Sequence, residues 1–161
     1  RRIAKAIQQK LQAMSPADAA YFDQRYADFD KRLTEAERRW DEAMAPYKAS
    51  KIVTYHRSWP NFSERFGLDV IGYVEPKPGI PPSPSHTIDL IAEMKAKSVK
   101  LIVVEPYFDL KTPNDIARET GAKVLVLAPS VGAEKAITDF IKLFDYDVEQ
   151  VVAVIRQVGG K

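Results

Sequence analysis

The chain has 161 residues, no cysteine, 24 Lys+Arg against 22 Asp+Glu for a formal charge of +2, 45% hydrophobic residues, 11 prolines and 7 glycines. That length suits one domain of mixed structure with a single sizeable core. The missing cysteine excludes disulfides and thiolate metal sites but leaves the redox compartment open, and near-neutrality leaves no basic footprint for nucleic acid.

No stretch approaches the ~20 consecutive apolar residues of a membrane-spanning helix. The chain opens Arg1-Arg2-Ile3 without an initiator Met and reads as a piece of something longer. Residues 1–50 hold 10 Lys+Arg and 8 Asp+Glu but no glycine, which is helix composition. Ile3, Ile7, Leu11 and Met14 recur at helical spacing and fall on one helical face. Ser15-Pro16-Ala17-Asp18 carries the cap, proline and acidic pattern that opens a second helix. Phe22, Tyr26, Phe29, Leu33, Ala36, Trp40, Ala43 or Met44, and Tyr47 then continue a narrow apolar seam. This predicts one helix to about Ala45, roughly 45 Å long. It fits either a spine packed along a neighbouring domain or a coiled-coil dimerisation arm.

From residue 51 the pattern changes to short apolar runs between amphipathic segments. Strands are expected at Lys51–Tyr55, Leu68–Val74, Lys100–Val104 and Lys123–Leu127. Helices are expected from Pro60 to Phe66, closed by Gly67, and from Pro84, capped by Ser83, to about Ser98. A third should open at Thr112-Pro113 and stop at Gly121, and a last should run from Ala133 to about Arg156, with a break near Asp145-Tyr-Asp147. Four strand–helix repeats with continuous apolar strands specify an α/β fold: a four-stranded parallel sheet with flanking helices, preceded by the long N-terminal helix.

In such sheets ligands collect at the carboxyl ends of the strands. There the sequence places His56-Arg57-Ser58-Trp59, Glu75 with a proline-rich loop, Glu105 with Asp109, and Ala128-Pro129-Ser130. His86 falls in the first turn of a helix, where a structural role is expected. Gly-x-Gly-x-x-Gly, Gly-Lys-Ser/Thr and Gly-x-Ser-x-Gly are all absent, which removes the usual supports for dinucleotide binding, P-loop phosphate binding and a serine elbow. Glu105 with Glu75 or Asp109 could pair as acid and base. His56 with one carboxylate makes a two-ligand metal site, short of the three protein ligands of a catalytic zinc centre.

Four segments in order carry a resemblance. Val53-Thr-Tyr-His56-Arg-Ser-Trp-Pro-Asn-Phe62 leading to Phe66-Gly67-Leu68, Val74-Glu-Pro-Lys-Pro-Gly79 before Pro82-Ser83-Pro84, Val104-Glu105-Pro106-Tyr-Phe108, and Ile116-Ala-Arg-Glu-Thr-Gly-Ala122 together resemble the zinc and manganese ABC-transporter solute-binding proteins, the cluster A-I family. The opening Arg1 to Ile7 is similar to the stretch following that family's first lobe.

The resemblance implies two (β/α) lobes joined by a rigid helix, with one ion held between them. By it, residues 1–50 are the interlobe spine and residues 51–161 the C-terminal (β/α)4 lobe, with the N-terminal lobe lying outside this chain. His56 matches the family's third ligand position, and Ala128-Pro129 stands where the family commonly has an Asp-Pro ligand. The implied shell is three histidines plus water or a borrowed carboxylate, with Glu105 as the candidate, and it suits Zn²⁺ better than Mn²⁺. The resemblance further implies a periplasmic or cell-surface location, a membrane permease as partner and no catalysed reaction. The fragment itself should bind metal weakly and self-associate through its helix seam. Two other readings stay open: a flavodoxin-like enzyme or signalling domain with a dimerisation arm, and a family member that has lost metal binding.

Overall fold

The computed structural model describes residues 1–159, which group into two compact units, residues 1–40 and residues from 41 onward. In the first, helix α1 (Arg2–Met14) and the start of α2 (Ala19–Met44) are joined by a 3₁₀ turn over Pro16–Asp18. The turn closes through the Asp18 N–H to the Ser15 carbonyl at 3.1 Å. The Ser15 hydroxyl donates to the Asp18 carboxylate at 2.6 Å rather than capping a backbone amide, which is why α2 starts at Ala19.

The apolar face of α1 lies open. Ile3 is 78% exposed and Met14 70%, with Ile7 and Leu11 also open, while Gln8 is buried. Polar groups draw α1 onto α2: Gln8 Nε2 donates to Gln12 Oε1 at 3.0 Å and to Asp23 Oδ1 at 2.5 Å, and Gln12 Nε2 donates to the Ala19 carbonyl at 3.1 Å. The Arg1 guanidinium bonds Asp30 at 2.7 Å and also reaches Glu37 and Thr34. Along α2 the expected seam deepens with sequence, from partly buried Phe22, Tyr26 and Phe29 to buried Leu33, Ala36, Trp40 and Met44.

The second unit is the expected α/β layer. Strands β1 (Lys51–Thr54), β2 (Asp69–Tyr73), β3 (Leu101–Val104) and β4 (Lys123–Val126) form one parallel sheet in the order β2-β1-β3-β4. The central strands are buried, all four residues of β3 and three of four in β1, whereas the edges β2 and β4 are half-open. Between them run α3 (Pro60–Phe66), α4 (Pro84–Ala96) and α5 (Lys111–Thr120), and α6 (Phe140–Val158) lies on β3 and β4. Val53, Val74, Ile102 and Val104 from the sheet close over Leu90 and Met94 of α4 and Ile116 of α5.

Several boundaries follow the sequence closely. Gly67 and Gly121 end α3 and α5 in the left-handed conformation, at φ +68° and +65°, and the Ser83 hydroxyl accepts the His86 N–H at 3.2 Å to open α4. Two helices differ. Helix α5 begins at Lys111, one residue before Thr112, with Leu110 at its N-cap and the Lys111 N–H taken by Asp109 Oδ1 at 2.7 Å. Helix α6 begins at Phe140, because Asp139 caps it through the Lys142 N–H at 3.0 Å, and residues 128–139 remain loop. It runs unbroken through Asp145–Asp147.

The sheet carries one irregularity. The β1–β2 register slips between Ile52, paired with Val70, and Val53, paired with Gly72. A bulge of this kind re-aims the end of a strand. At Gly72 the sheet meets α4 so closely that a Cβ would stand 2.8 Å from Leu90 Cδ1, and Leu90 is buried. Gly72→Val should therefore overpack the core and destabilise the fold by about 1–3 kcal/mol. Urea unfolding measures this, and an unchanged midpoint would mean that Leu90 yields freely.

Candidate metal centre

In a sheet ordered 2-1-3-4 the topology reverses between β1 and β3, and ligands bind outside the strand ends at that switch point. His56 follows β1 and Glu105 follows β3, so the two candidate ligands named from sequence flank the reversal. Sheet-like bonding continues past the strand ends. Val74 N–H donates to the Thr54 carbonyl at 3.0 Å, Glu75 N–H to Tyr55 at 2.9 Å, and Tyr55 N–H to Val103 at 2.8 Å. This ladder sets Glu75 beside Tyr55 and His56. The Thr54 hydroxyl donates to the His56 carbonyl at 2.6 Å and pins the turn.

The His56 ring is buried and its state is decided by its partners. Nδ1 lies 2.8 Å from the Glu75 main-chain carbonyl. A carbonyl oxygen only accepts, so Nδ1 carries the proton and the lone pair of the neutral ring sits on Nε2. Histidines that bind metals are commonly oriented in this way, through the ring nitrogen that does not face the ion. Nε2 faces Glu75 Oε1 at 3.6 Å. Phe108 holds the ring edge-on, with centroids 4.7 Å apart, and stacks flat on Tyr55 at 4.4 Å. Burial, followed by the Glu75 carboxylate against its hydroxyl, pushes the Tyr55 phenol up, with Asp109 and Glu105 adding at longer range.

Glu105 is wholly buried, and among the described residues neither of its carboxylate oxygens has a hydrogen-bond partner. A carboxylate in that condition is costly unless a cation or proton meets it. An imidazole nitrogen with nearby carboxylate oxygens is a donor set that fits a divalent cation such as Zn²⁺. Among the described residues, however, no group of three or more His, Cys, Asp or Glu side chains stands close enough to hold a metal. His56 and Glu75 are brought together; Glu105 does not complete a three-ligand group with them. His86 is structural, its Nε2 2.9 Å from the Tyr73 carbonyl.

Two participants are not evident from the sequence. Glu75 is visible there only as a carboxylate after a strand, and nothing in its spacing ties it to His56. Asp147 occupies an apolar stripe of α6 with Leu143, Val148 and Val151, all buried. Its Oδ1 accepts the Ala128 N–H at 3.3 Å, which anchors the loop after β4 and explains why α6 does not break there.

A parallel α/β layer with a metal-competent imidazole at its switch point is one of the folds that hold ligands at strand ends. More narrowly, the chain belongs to the periplasmic zinc-uptake complex component A family, whose model matches residues 1–154. It is 25% identical over 127 residues to the high-affinity zinc uptake system protein ZnuA of Haemophilus influenzae, covering 79% of this chain and 38% of that protein. It is 26% identical over 163 residues to the zinc-binding protein AdcA of Streptococcus pyogenes, covering 99% and 32%. Among solved structures, the solute-binding protein FpvC of Pseudomonas aeruginosa in complex with Mn²⁺ superposes with a TM-score of 0.71 at 28% identity, covering 94% of this chain and 57% of that one. The chain thus spans about a third to two fifths of the curated relatives it matches.

Burial pushes the Asp147 carboxyl up to about 7, and the Ala128 amide offsets part of that rise. The folded chain therefore holds this proton more tightly than the unfolded chain does. The stability so supplied is complete below the unfolded carboxyl range, near 4, and is lost as pH rises through about 7. Urea unfolding should show the chain about 1–3 kcal/mol less stable at roughly pH 8 than at roughly pH 5 from this group, and Asp147→Asn should remove that difference. A difference that persists in the variant would assign it to another group.

Proposed function

We propose that this chain is the C-terminal half of an extracytoplasmic metal-binding component of an ABC importer, with zinc as the cargo. In this reading residues 1–50 are the interlobe spine and residues 51–161 the second lobe. His56 supplies one ligand through Nε2, and Glu105 lies in reserve as a carboxylate donor. The protein catalyses nothing: it captures an ion and passes it to a membrane permease. The carrying observation is the tautomer of His56, whose Nδ1–H is committed to the Glu75 carbonyl at 2.8 Å so that Nε2 is free for a metal. Family membership supports the reading, as do the names of its relatives, which speak of zinc uptake and zinc binding. The exposed Ile3, Ile7 and Met14 of α1 suit a helix that another lobe covers, and left uncovered they would favour self-association.

A second reading, loss of metal binding, is favoured by Ala128, which cannot ligate. Calorimetric titration of Zn²⁺ into the full-length protein separates the two. Binding that weakens at least tenfold in His56→Ala is the expected result. Equal affinity in both proteins would sink the assignment, and a wild-type protein that takes up no zinc would establish the second reading.

A further inference from the structure

We propose that Glu75 is the carboxylate that ligates the metal from this side, in the part that Ala128 cannot play. The inference rests on the metal-capture reading. Three observations carry it.

The first is the distance between the two side chains. Nε2 of His56 and Oε1 of Glu75 are 3.6 Å apart, too far for a hydrogen bond. Two donors held at about 2.0–2.2 Å from one tetrahedral ion stand roughly 3.3–3.6 Å from each other, so the gap matches the edge of a coordination shell.

The second is that one residue both orients the histidine and faces it. The Glu75 carbonyl takes the Nδ1–H of His56, and the Glu75 side chain returns to the opposite nitrogen. The Glu75 N–H bond to Tyr55 fixes that backbone, and the Tyr55 hydroxyl meets the carboxylate. Ligand and orienting partner are thus held as one rigid unit, with both side chains about nine-tenths buried.

The third is the disposition of the other carboxylates. Asp147, the acid that reaches Ala128, is committed to its amide. Glu105 is buried without partners, yet it does not join His56 and Glu75 in a three-ligand group among the described residues. Its buried carboxyl, without a hydrogen-bond partner among the described residues, suits a cation in this region, while the facing geometry belongs to Glu75. A carboxylate oxygen beside imidazole makes the site harder than an all-nitrogen one, and so more tolerant of Mn²⁺.

The test uses the full-length protein and its Glu75→Gln, Glu105→Gln and His56→Ala variants, with Zn²⁺ and Mn²⁺ as probes. Affinities come from competition titration, and the identity of the ligating atoms from X-ray absorption at the metal edge. Glu75→Gln should weaken both metals at least tenfold, Mn²⁺ more than Zn²⁺, and remove one carboxylate oxygen from the shell. Glu105→Gln should leave the shell unchanged. Should Glu75→Gln fail to fold, Glu75→Asp, which withdraws the charge by one methylene, should weaken binding in the same direction. An unchanged affinity and shell in the Glu75 variants, or loss of the oxygen in Glu105→Gln instead, overturns the inference and leaves the metal-capture reading standing. A wild-type protein that binds neither ion, or a His56→Ala variant that binds as wild type, overturns both together.

Discussion

The hydrogen bond from His56 Nδ1–H to the Glu75 carbonyl, 2.8 Å long, joins the fold to its chemistry. It exists because β1 and β2 keep exchanging backbone bonds beyond their formal ends, through Val74 and Glu75 to Thr54 and Tyr55. Upstream of it the β1–β2 register slips at Val53–Gly72, where the missing side chain of Gly72 lets Leu90 of α4 come close. A side chain there would have to displace the tip of the buried Leu90.

Around this bond the strand ends gather more buried acid than a purely structural layer needs. Glu105 is buried with both oxygens unpartnered among the described residues, Glu75 faces an imidazole and a phenol, and Asp147 keeps its proton near neutral pH. Each burial costs free energy that a surface position would not. Functional sites are where such costs concentrate. The aromatic ring of Phe108 packs against both Tyr55 and His56.

The helical unit has the opposite character. Its inter-helix contacts are polar, with Gln8 buried between Gln12 and Asp23 and one Gln8 oxygen left without a partner, while Ile3, Ile7 and Met14 lie open. Apolar side chains facing out and amides facing in invert the usual arrangement of a surface helix. Such a helix fits a protein in which these residues serve more than the hairpin itself.

Much of the architecture is legible in the residues. The four strands are readable as apolar runs, Gly67 and Gly121 as helix ends, Ser83-Pro84 as a helix start, and His56 and Glu105 as strand-end candidates, because each depends on local propensity and capping chemistry. Helix α5 begins one residue before Thr112, and the start of α6 departs from expectation because Asp139 outcompetes the Ala133 signal through a specific bond to Lys142. On α1, helical periodicity reports which residues share a face and not which face meets a partner. The sequence alone determined the class of fold and the place of His56 just after a strand. Tertiary structure alone decided that Glu75 faces it and that Asp147 holds Ala128, since strand pairing and helix docking bring together residues 19 positions apart in each pair, over distances that no local pattern encodes.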